Sequence, residues 1–177
     1  MFRSQSNKFE IMKLICLAFL IFCIACNNRQ KEKIASIRGI WIPQEIDWGQ
    51  GDFETFYFQS DTSVVIISSV QKKVKNSIIF ATEPGFNIKK GVIKPIGNDQ
   101  FVISGAVIYR FIKVVGGGID AFQDTVTVSA EDSARLIRVN GVSYQKGVLY
   151  TNESKERIVS IATKMVPDIE NHPEKFN

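Results

Sequence analysis

The chain has 177 residues, enough for one domain of ordinary size and too few for two comfortable ones. Hydrophobic residues make up 45% and charged residues 23%, which excludes a disordered or fibrous chain. The net charge of +4 is small and dispersed, which argues against a nucleic-acid partner, and the single histidine, His172, argues against Ser-His, Cys-His and histidine-rich zinc chemistry.

Every residue from Leu14 to Ala25 is apolar, a run of 12 preceded by Lys13. A membrane-spanning helix needs about 20 such residues, so the run has the length of a signal-peptide core instead. It ends abruptly at Cys26, followed by the polar stretch Asn27-Asn28-Arg29-Gln30-Lys31-Glu32-Lys33. This arrangement resembles a bacterial lipoprotein signal with the lipobox Cys23-Ile24-Ala25-Cys26, where Ile24 and Ala25 fit and Cys23 stands in the usual place of leucine. The competing readings are a buried helix and an ordinary secretory signal cut nearby. The resemblance implies cleavage after Ala25, acyl chains on Cys26 and a membrane as partner. Several chains on one cysteine hold almost irreversibly, at about 0.8 kcal/mol per buried methylene. Met12-Lys13 makes a more economical start for such a signal than Met1. The cysteines are Cys16, Cys23 and Cys26, so the mature domain would carry no disulfide or Cys-ligated metal, and its net charge would be about +2. Asn27 is not the aspartate associated with inner-membrane retention in the enteric pattern. The tether also lacks the acidic run that resembles a surface-export signal. Together these imply the periplasmic face of the outer membrane.

Residues 26–36 read as the lipidated cysteine and a polar tether. From Gly39 the chain turns strongly β, with short runs rich in Ile, Val, Phe, Tyr and Thr broken by turn residues. Strands are predicted at 39–42, 53–59, 63–70, 77–82, 86–94, 100–104, 106–114, 125–129, 135–139 and 142–146. Ser60-Asp61, Pro84-Gly85, Gly97-Asn98-Asp99 and Asn140-Gly141 supply turns, and the last is the best hairpin signal because both residues tolerate positive φ. A meander this long closes into a barrel or folds into two sheets to remove its edges. Residues 151–165 place Ile158, Ile161, Ala162 and Met165 on one helical face, with Thr151 or Asn152 as cap and Pro167 as stop. An eleventh strand is the alternative there. Residues 167–177 read as a polar, mobile tail, and 37–166 as the folded domain.

The first strand contains Gly39-Ile40-Trp41. This G-x-W, the antiparallel strands after it and the C-terminal helix together resemble the lipocalin and calycin superfamily, in particular lipocalin-like lipoproteins of Bacteroidetes-type bacteria. The second signature of that family, a T-D-Y triplet, is absent. The resemblance implies a mainly β fold, an antiparallel meander closed as a barrel of about eight to ten strands, with a β-sandwich as the alternative. It also implies that Trp41 plugs the closed end under an arginine. Arg138 is the first candidate for that arginine and Arg135 the second.

Candidate chemistry is sparse. Glu45, Asp47, Asp52 and Glu54 cluster near Trp48, a pattern that fits a sugar site but more simply a solvated loop. Gly116-Gly117-Gly118 lacks the helix start of a phosphate cradle and reads as a hairpin tip. Asn152-Glu153-Ser154 reads as a helix cap and His172 as a solvated tail residue. Phe56 and Phe58 share one strand face, and Tyr109 and Arg110 lie on another aromatic-rich strand. These four are the candidate ligand-binding residues for a small apolar or amphipathic molecule. Arg110 meets a carboxylate headgroup if it points inward and is a surface residue if outward. The expected function is that of a lipid-anchored, non-catalytic, lipocalin-like binder without cofactor or metal. The alternative is an envelope module whose rim binds protein or glycan.

Overall fold

The structure is a computed structural model that describes residues 3–45, 53–81, 86–97, 100–110, 121–128 and 136–176. Helix α1 (Arg3–Ser36) leads directly into the domain, so residues 27–36, expected to form a tether, are helical. The strands are β1 (Gly39–Pro43), β2 (Phe53–Phe58), β3 (Ser63–Ser69), β4 (Gln71–Val74), β5 (Ser77–Phe80), β6 (Phe86–Pro95), β7 (Gln100–Arg110), β8 (Ala121–Val128), β9 (Leu136–Val139) and β10 (Val142–Lys146). Eight of them form a closed antiparallel barrel in the order β1-β10-β9-β8-β7-β6-β3-β2. The fold is therefore the lipocalin-like barrel with a C-terminal helix, and not a sandwich. Closure satisfies the strand edges that an open meander would leave to solvent.

Asn140 and Gly141 take φ of 49° and 87°, the left-handed pair that a two-residue hairpin between β9 and β10 requires. The sequence suggests a break at Gly105, yet β7 runs through it. Gly105 lies opposite Gly91 of β6, and a Cβ there would sit 1.9 Å from the Lys90 carbonyl oxygen. The glycine permits close approach of two strands instead of ending one. The hairpin β4–β5 leaves the barrel between β3 and β6 and folds against its outer wall. Strand β8 begins four residues earlier than the sequence suggests.

Alternation sorts the side chains into two cores. The barrel interior holds Trp41, Phe56, Phe58, Val64, Ile66, Phe101, Ile103 and Ile137, with Ile37 at the entry of the chain. The outer wall of β3 and β6 carries Val65, Ile67 and Ile88, covered by the β4–β5 hairpin and the C-terminal helix. That helix begins as α2 (Asn152–Ser160), capped by Thr151, whose side chain accepts from the Ser154 N–H. It passes through a π turn (Ile161–Met165) and continues as α3 (Val166–Asn171), followed by a 3₁₀ turn (Pro173–Phe176).

Pro167 does not stop the helix, contrary to the sequence reading. It stands just after the π turn, whose wider loop accommodates the ring, and the Ala162 carbonyl inside that turn accepts from Gln59 Nε2 at 3.3 Å. The segment 167–176 is accordingly a docked helix end and not a tail. Ile169 is buried, and the Phe176 ring lies 6.2 Å from that of Tyr109.

Candidate functional site

The barrel has two unlike ends. At one, α1 enters at Ile37 and β1 starts; at the other, β1 ends and β2 begins. The first end is a packed floor. Trp41 is fully buried between Phe56 of β2 and Lys146 of β10, its partners in register. Its Nε1 donates to the Ile37 carbonyl at 2.6 Å.

The cation over the indole is Lys146, whose Nζ lies 4.5 Å from the ring centroid. Its ammonium also donates to the carbonyls of Ser36 and Arg38, and burial holds its pKa below the ordinary lysine value. Arg138, expected in this place, is exposed on the outer face of β9, because it alternates with the buried Ile137 and Val139. Arg135, the second candidate, lies outside the described residues, as do Asp47, Trp48, Asp52 and Gly116 to Gly118.

Above the floor the interior changes character. Glu54 shares the inward face of β2 with Phe56 and Phe58, and its carboxylate pairs with the Lys89 ammonium of β6. The Lys89 side chain is 24% exposed and that of Glu54 30%, so the pair is partly solvated. Lys89 Nζ also stands 5.4 Å from the centroid of the Phe122 ring.

On β8, Phe122, Asp124 and Val126 share the inward face. Asp124 Oδ1 accepts from Asn140 Nδ2 at 2.7 Å, which ties it to the β9–β10 turn. Its Oδ2 is buried without a hydrogen-bond partner among the described residues. Tyr144 completes the layer, edge-on to Phe56 with ring centroids 4.9 Å apart. Burial first, and then the negative charges of Glu54 and Asp124, push the Tyr144 hydroxyl above its ordinary range and keep it neutral.

The four expected ligand contacts fall into three places. Phe56 and Phe58 are inward, stacked at 6.1 Å, and fill the floor themselves. Tyr109 lies on the outer wall, against Phe86 and Phe176. A bulge accounts for this: Val107 pairs with Lys89 but Tyr109 with Ile88, so Ile108 is an extra residue that breaks the alternation. Beyond the bulge, Arg110 pairs in register with Asn87 and stands exposed at the end of β7, at the mouth.

Lys89, Asp124 and Tyr144 were not singled out by sequence. The alternation of Phe122, Asp124 and Val126 carries the signal for Asp124, although the sequence pattern predicts a strand only from Thr125. Glu45 is exposed beyond β1, apart from the inward Glu54. His172 is exposed beside Glu174, at 3.4 Å. Among the described residues no group of three or more His, Cys, Asp or Glu converges on a point. No helix among them is long and apolar enough to cross a membrane.

No family model matches the chain, and neither the curated proteins nor the solved structures compared with it give a match.

Proposed function

We propose that this protein is a lipid-anchored envelope protein that binds a small amphipathic molecule in the upper half of its barrel, without catalysing a reaction on it. The observation that carries the reading is the polar layer inside the barrel. Glu54, Lys89, Asp124 and Tyr144 sit on a packed apolar floor, and Asp124 Oδ2 lacks a partner among the described residues. Charges placed inside a barrel cost stability unless they are paired and solvated, or used by a ligand. A ligand entering polar end first would meet the carboxylate of Asp124 and the Glu54–Lys89 pair, and its apolar part would lie against Phe122.

The filled floor also supports the second reading, a closed barrel whose rim binds protein or glycan. Thermal melts separate the two. An amphipathic ligand at a hundred times its Kd stabilises by about 2.7 kcal/mol, which raises the Tm of a domain this size by about 5–10 °C. Wild type should respond to such a ligand from a panel of uncharged and cationic amphiphiles, which suit the Asp124 carboxylate, and the double variant Glu54→Gln/Lys89→Met should not. Equal responses in both proteins would remove the site from the barrel.

For the anchor, Cys26 is exposed on α1. Cys26→Ser should abolish metabolic acyl labelling and release the protein from the outer membrane, where protease protection in intact cells would mark the periplasmic face. Normal membrane retention of the variant would refute the anchor.

A further inference from the structure

A groove of about 710 Å³ lies outside the barrel, where the C-terminal helix stands over the start of β6. Its volume falls within the range of small-molecule sites. Phe86, Ile161, Met165 and Phe176 supply its apolar lining, and Arg157 and Lys164 stand in it from the helix. The π turn shapes this wall, since Ile161, Lys164 and Met165 all belong to it, and such turns recur at functional sites.

The charges are unbalanced. Asp168, the acid in the groove, faces Lys175, with 3.4 Å between Oδ1 and Nζ. Neither Arg157 nor Lys164 forms an ion pair among the described residues, which leaves two uncompensated cations beside an apolar trough. From this combination we infer that the groove binds a free single-chain amphiphile with an anionic head, its chain along Phe86, Met165 and Phe176 and its carboxylate between Arg157 and Lys164.

The position selects a free molecule over the anchoring bilayer. Phe86 begins β6 at the mouth end, whereas α1 enters at the opposite end. A ten-residue strand separates the two by about 30 Å along its length. This site is separate from the barrel interior and does not depend on it.

The test is photolabelling of the full-length protein in nanodiscs of zwitterionic phospholipid, with a diazirine-bearing dodecanoate as probe. Labelled peptides should map to residues 157–176, and excess dodecanoate should compete. The double variant Arg157→Gln/Lys164→Gln should lose at least tenfold of the labelling with an unchanged melting curve, and Arg157→Lys should retain it. Equal labelling by the uncharged methyl ester of the probe would overturn the inference. So would labelling confined to β2 and β8 of the barrel, or no specific labelling at all. Protection of residues 157–176 when anionic lipid replaces the zwitterionic lipid would assign the groove to the bilayer and equally overturn it.

Discussion

Replacing Trp41 by alanine tests the packed floor. The indole is fully buried, hydrogen-bonded to the Ile37 carbonyl at 2.6 Å and covered by Lys146 at 4.5 Å from the ring centroid. A buried aromatic removes about 150–250 Å² from water, worth about 4–6 kcal/mol at 25 cal/mol per Å². Comparable aromatic truncations in cores cost about 3–5 kcal/mol. The orphaned Ile37 carbonyl adds about 1 kcal/mol. Partial collapse of the site offsets some of this, so Trp41→Ala should destabilise by about 4–5 kcal/mol, a large share of the roughly 5–15 kcal/mol of a typical domain. With a urea m-value of about 2 kcal/mol/M, the midpoint should fall by about 2 M. Trp41→Phe keeps most of the ring volume and loses the Nε1 bond, so its cost should be about 1–2 kcal/mol. Urea melts followed by far-ultraviolet circular dichroism measure both. A Trp41→Ala variant within 1 kcal/mol of wild type would refute the plugged floor, and equal costs for the two variants would refute the part assigned to ring burial.

Other consequences follow from buried groups. Burial raises the pKa of Tyr144 and Tyr150 above the ordinary 10.0, so the unfolded chain gives up these protons first. The stability they contribute is complete below pH 10 and lost as pH rises beyond it; Tyr144→Phe should flatten that decline in urea melts between pH 9 and 11. The buried Tyr150 hydroxyl bonds Thr55 Oγ1 at 2.7 Å, and Tyr150→Phe should cost about 1 kcal/mol at pH 7. Gly105→Ala would drive a Cβ to within 1.9 Å of the Lys90 carbonyl oxygen, so it should destabilise by about 3 kcal/mol or more, seen as a lowered urea midpoint.

Much of the barrel was legible because strand chemistry is local. The Asn140-Gly141 turn demands positive φ wherever it occurs, and β10 at Val142–Lys146 has the bounds expected from its sequence. The apolar helical face was equally plain, for Ile158, Ile161 and Ala162 are all buried. Legibility ended where the outcome depended on register. Lys146 reaches Trp41 because β10 pairs with β1, a closure that brings residues about a hundred positions apart together. Glu54 and Lys89 meet for the same reason, with β3 between their strands. The bulge at Ile108 turns Tyr109 outward, because it interrupts the alternation that would otherwise put Tyr109 on the inward face with Val107. Pro167 is a helix breaker by local rules, yet the π turn before it, which no local pattern shows, lets the helix continue.

The central claim is that the barrel holds a small amphipathic molecule at Glu54, Lys89, Asp124 and Tyr144. Native mass spectrometry of the chain from Asn27 onward tests it most directly. The account predicts a co-purifying mass below about 1 kDa, present in wild type and absent from the Glu54→Gln/Lys89→Met variant. A clean unliganded mass for wild type, with no thermal stabilisation by any amphiphile in the panel, would contradict it.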